Sequence, residues 1–201
     1  MITARKVGDV SALPEHAYGP GALTWWGMLG MMLIEGITLV LVAASYLYLR
    51  QNFYTWPPEH TPLPSLGVPL FTVAVMLVSV VPTWWAARRA RAHDRGGVLA
   101  GLALQSVLGF AIMALRFTEL HALNVRWDTN AYGSVAWAVL IAHTLVMVTD
   151  VLDTAGLALL FLLVEPEEKH FVDTTENSAF WYFIVGSWLP LFVLVFLSPR
   201  W

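Results

Sequence analysis

Apolar residues run through this chain in long unbroken blocks, at roughly 22–49, 67–88, 97–118, 132–164 and 178–198, with short polar stretches between them. A helix on the surface of a water-soluble core alternates apolar and polar faces, and these blocks do not alternate. Each is long enough to cross a hydrocarbon layer of about 30 Å, which takes about 20 helical residues. The pattern predicts an all-α membrane protein, a bundle of five transmembrane helices. The first and fourth blocks exceed the span needed, so tilt or projection into the headgroups is expected. Residues 1–21 are polar, contain Pro14 and Pro20, and read as an extramembrane tail ahead of a transmembrane domain over 22–201. A signal peptide would place an apolar stretch close behind its basic start.

Composition agrees with burial in a bilayer. Of 201 residues, 58% are hydrophobic and 12% charged, and the mean hydropathy is +0.64. A soluble domain of this size needs far more charge on its surface. The net charge of −3 points to no particular partner. The one basic cluster is a short loop, which is no footprint for nucleic acid. The chain has no cysteine, which excludes disulfides, thiolate zinc or copper sites and iron–sulfur clusters.

Charge also sets an expected topology. Arg88, Arg89, Arg91 and Arg95 fall in the second loop, Arg5 and Lys6 in the tail and Lys169 in the last loop, against Arg50, Arg126 and Arg200 on the other side. The positive-inside rule then places the N-terminus in the cytoplasm and the C-terminus outside. Trp25, Trp26, Trp56, Trp84, Trp85, Trp127 and Trp201 lie near the expected span ends, as an aromatic belt requires.

The ionisable residues inside the spans carry whatever chemistry the chain has, because each costs at least about 2.5 kcal/mol at mid-bilayer. Glu35 sits deep in the first span, on a stripe with Met28, Met31, Thr38 and Val42. It is either a proton-binding or lipid-organising acid, or a neutral carboxyl bonded to a neighbouring helix. His143 and Asp150 are seven residues apart in the fourth span, two turns or about 10.5 Å, with Asp153 to one side. They suit a proton relay or packing against another subunit. Arg116 and Glu119 close the third span at i, i+3 spacing, which suits an interfacial ion pair with the arginine snorkelling, or a lipid-phosphate site. His143 alone among the six histidines falls inside a span; His16, His60, His93, His121 and His170 fall in the tail or loops. No metal site is expected in this chain.

Several segments match one family in order. The first span, WWGMLGMMLIEG, is similar to the third helix of subunit III of the haem–copper oxidases, with Glu35 at the position of that helix's buried glutamate. Trp56-Pro57-Pro58, Pro69-Leu70-Phe71-Thr72, Leu108-Gly109 through Glu119, Asp128 with Tyr132-Gly133-Ser134, His143 and His170-Phe171-Val172-Asp173 resemble its later motifs. The chain departs from the pattern at Arg116 and Leu120, which stand where a glutamine and a tyrosine are expected, and in Asp150 and Asp153, which lie outside it.

The resemblance, to the five-helix form of this subunit, implies a non-catalytic chain of a respiratory terminal oxidase in a bacterial inner membrane. It implies a V-shaped two-plus-three arrangement of helices holding phospholipid in a cleft. It also implies that haem and copper belong to partner subunits, chief among them the haem-bearing catalytic subunit I. On this reading Glu35, Trp25, Trp26, Trp56, Arg116, Glu119 and His143 are lipid-facing or buried polar residues, and Glu35, Asp150 and Asp153 are candidates for proton-linked roles. An accessory subunit of a nitric oxide reductase or other respiratory complex, and a small proton-coupled transporter, are the alternatives.

Overall fold

A computed structural model describes residues 17–201; most of the expected tail, with Arg5, Lys6 and His16, lies outside the described residues. Five long helices follow one another: α1 (Leu23–Gln51), α2 (Gly67–Arg91), α3 (Arg95–Ala122), α4 (Ala131–Leu163) and α5 (Glu168–Phe192). All five are long and apolar enough to cross a membrane, and the described residues hold no strand. A short 3-10 turn, Gly19–Gly21, precedes α1, and α5 runs on through a π turn, Val193–Leu197, and a last 3-10 turn, Ser198–Arg200.

The helix ends are set by local chemistry. Asp94 accepts from the Gly97 N–H to start α3, and Asn130 accepts from the Gly133 N–H to start α4. Each satisfies one of the donors that a helix start leaves bare. Glu167 and His170 close a reciprocal capping box at the start of α5.

That box corrects the expected fifth span, which starts at Glu168 and not near 178. Residues 168–177 look like a loop by hydropathy, but Thr174 and Asn177 among them are buried and find partners. Thr154 donates to Asn177 at 3.1 Å, and just beyond, Ser178 donates to the Thr83 carbonyl at 3.3 Å. Two histidines expected in loops are helical for related reasons. His170 belongs to the capping box, and His121 sits in the last turn of α3 bonded to the Phe117 carbonyl.

Helices α2, α3, α4 and α5 form the packed body, with α2 against α3 and α5, and α4 against α3 and α5. Small residues let the backbones close. A Cβ at Gly101 would lie 2.7 Å from the Ala86 methyl, and one at Gly109 would lie 2.8 Å from a Val151 methyl. Trp181 crosses the interior to donate to Ser79 at 2.9 Å. Helix α1 lies outside this body, on α4 and α5, with most of its surface uncovered.

This pairing differs from the expected two-plus-three division, in which the first two helices stand together. Helix α2 has its tight, small-residue face turned to α3, and α1 buries only a narrow stripe, around Leu39 and Tyr46, against the body. The end of the bundle that carries the α1–α2 connection is tied separately. Tyr46, Trp56 and Tyr132 pack edge to face, and Trp56 donates to the Tyr46 hydroxyl at 2.9 Å. Arg200 donates to the Pro64 carbonyl.

Gly101→Leu should lower stability by about 1–3 kcal/mol through overpacking of α2 on α3. Gly156→Ala, where a Cβ meets nothing within 4 Å, should leave stability unchanged. Thermal unfolding of both variants in mild detergent checks the contrast.

Candidate functional site

Three of the polar residues picked out in the spans converge at the centre of the body. Arg116 of α3 is 2% exposed and Glu119 is fully buried. The two pair across one turn at 2.5 Å. The snorkelling, interfacial pair expected from the sequence is therefore replaced by a sealed one. The cause is the face of α3 on which they sit, turned toward α2, α4 and α5.

The other guanidinium nitrogen donates to His143 Nδ1 at 3.1 Å, and His143 Nε2 meets the Ile184 carbonyl at 3.0 Å. Since arginine only donates, Nδ1 must be the acceptor and Nε2 carries the proton. His143 is thus held as a neutral ring of one defined tautomer, linking α3 to α5. The guanidinium lies over the Trp188 ring at 3.7 Å, and Met76 of α2 closes the other side with its sulfur 3.9 Å from the arginine. This knot touches four helices. Trp188 and Met76 were not picked out from the sequence, because an aromatic or a methionine in an apolar span carries no signal of its own.

Asp150 does not join it. Although His143 and Asp150 share a face of α4, Asp150 is two turns away and meets Asn177 of α5, whose amide donates to Asp150 at 3.3 Å and to Asp153 at 3.4 Å. Asn177 lay in the stretch read as loop, which hid it.

Glu35 lies elsewhere again, half-buried on α1. The inward stripe of that helix is Met28, Met32, Glu35, Leu39, Val42 and Tyr46. Met31 and Thr38, expected on Glu35's stripe, are exposed. Among the described residues no hydrogen bond or ion pair engages Glu35.

The tryptophans divide. Trp25 and Trp26 stack edge to face at 4.9 Å near the start of α1, and Trp26 donates to the Pro20 carbonyl. Trp56 is part of the aromatic lock and not a loose anchor. Among the described residues no group of three or more His, Cys, Asp or Glu side chains is placed to hold a metal ion.

Five membrane-length helices sealed around one internal ion pair define a multi-pass helical membrane protein. No family model matches the chain. It is similar over 98% of its length to cytochrome c oxidase subunit 3 of Synechocystis sp., at 23% identity and covering 87% of that protein. Proteins of the same name from Pongo pygmaeus and Equus caballus match 70% of the chain at 29% and 26% identity. The chain spans about half (54%) of the length of these two mammalian relatives. Along nearly its whole length the chain is thus similar to proteins named cytochrome c oxidase subunit 3, which supports membership of that family.

Arg116→Met or Glu119→Gln alone should destabilise the fold by about 3–5 kcal/mol, since either leaves the other partner buried without its counterpart. The paired change Arg116→Met with Glu119→Leu should recover most of that loss. A double-mutant cycle on unfolding free energies measures the difference.

Proposed function

We propose that this chain is the non-catalytic subunit III of a haem–copper terminal oxidase, seated beside the haem-bearing catalytic subunit and holding phospholipid against it. The observation that carries this is the match to the cyanobacterial subunit along nearly the whole chain, together with five membrane-length helices. Reduction of oxygen to water, and the haem and copper that perform it, belong on this reading to partner subunits of a bacterial inner-membrane complex. The N-terminus then lies on the cytoplasmic face with the arginine-rich loop, by the positive-inside rule.

The outer surface of the bundle suits such a role. Helix α1 exposes Ile34, Ile37, Val40 and Leu41, and covers little of itself against its own chain. Between α1 and α5 runs an apolar groove of about 390 Å³, lined by Gly36, Leu39, Val40, Leu47, Phe183 and Leu191. Lipid acyl chains fill it, and they carry oxygen, which partitions into hydrocarbon. Glu35 sits one residue from Gly36, where the groove meets the interior of the bundle. Trp25 and Trp26 anchor the near end at headgroup level.

Affinity purification of the tagged chain in mild detergent tests the proposal. A haem-bearing, polytopic partner should co-purify. A chain that comes out alone, or that holds haem stoichiometrically itself, overturns the reading. In the purified complex Glu35→Gln should leave haem content and assembly intact and change the stability of activity during turnover. Loss of assembly in that variant would make Glu35 a structural residue.

A further inference from the structure

A second polar region lies apart from both the Arg116 knot and the lipid groove. A cavity of about 400 Å³ opens between α1, α4 and α5, and Asp150, Asp153, Asp173, Glu176 and Asn177 line it with Thr24. Thr24, Asp173 and Glu176 lie near the starts of α1 and α5, at the end of the bundle that also carries Arg88–Arg95. Asp150 lies 13 residues before the end of α4, roughly 20 Å along the helix. The cavity therefore leads from one membrane face toward the middle of the bundle.

Its deepest carboxylate is incompletely engaged. Asp150 is 4% exposed, its Oδ1 accepts from Asn177, and its Oδ2 has no partner among the described residues. A buried oxygen of this kind costs free energy unless something occupies its lone pairs. Asn177 cannot supply more. Its amide N–H groups serve Asp150 and Asp153, and its carbonyl accepts from Thr154. One amide thus holds two like charges side by side, with its oxygen turned away from both.

We propose that this cavity is a hydrated proton-loading vestibule, in which Asp150 takes a proton from water on its Oδ2 and Asp153, Asp173 and Glu176 form the acidic path to it. A proton on Asp150 removes one of the two charges that Asn177 bridges and turns the orphaned oxygen into a donor toward cavity water. A bare metal ion suits the site poorly, since among the described residues no three carboxylates converge to hold one and the Asn177 oxygen is committed to Thr154.

The groups facing the site are few. Helix α1 contributes Thr24, Met28 and Met31, with Glu35 one turn beyond; α4 contributes Asp150 and Asp153; α5 contributes Asp173, Glu176 and Asn177; among the described residues no basic side chain lines the cavity. Glu176 accepts from Thr24 at 2.8 Å, which ties α1 to α5 across the mouth. His143 on α4 faces Arg116 and Ile184, away from it. The site stands on this chain's residues alone and does not depend on which partner it joins.

Infrared difference spectroscopy of the full chain, purified with its bound partners in mild detergent, tests this. The expected result is a protonated-carboxyl stretching band that titrates with pH, exchanges promptly in D2O and is lost in Asp150→Asn. Met31→Trp keeps every carboxylate and narrows the cavity, and should slow the exchange; it serves if Asp150→Asn fails to assemble. A band that survives Asp150→Asn, exchange unaffected by Met31→Trp, or displacement of the proton by sodium would each overturn the proposal.

Discussion

A guanidinium in the interior of a membrane protein must find its counter-charge and its acceptors within the chain, because lipid offers none. Arg116 meets that demand with Glu119 on its own helix, His143 on α4 and the Trp188 ring on α5. Each partner fixes the rotation of the helix that carries it. With α3 turned so, Gly101 and Gly109 face Ala86 and Val151, and the close approach of α2 and α4 follows. The small-residue contacts and the polar knot are thus two consequences of one helix orientation.

The same geometry explains why α1 stands apart. The Arg116 knot is shared among the four packed helices alone, so α1 is left to dock through a stripe of Leu39, Val42 and Tyr46. Glu35 remains on that stripe with no partner of its own among the described residues. A helix so uncovered is stable in hydrocarbon but defines little surface against its own chain. Lipid in the α1–α5 groove and a larger neighbour beyond it would complete the interface, as the proposed place in an oxidase complex requires.

Much of this was legible in the residues and some was hidden, for identifiable reasons. Five spans follow from apolar run length alone, since a bilayer imposes a minimum length that soluble folds lack. The start of α5 did not, because Thr174, Asn177 and Ser178 lower hydropathy while pairing internally. Arg116 and Glu119 were visible as a pair through their i, i+3 spacing, but spacing says nothing about which way a helix faces. Their junction with His143 and Trp188 depends on the rotation of three helices, which no local pattern encodes. Asp150 and Asp153 stood out as charges in an apolar span; Asn177, which joins them, did not.

The central claim is that a neutral, singly oriented His143 joins Arg116 to the Ile184 carbonyl and thereby sets the bundle. Solid-state nitrogen NMR of the chain in lipid, with His143 and Arg116 labelled, reads it directly. The prediction is a ring protonated at Nε2 only, with Nδ1 correlated to the guanidinium. A doubly protonated ring, or a proton on Nδ1, would contradict it.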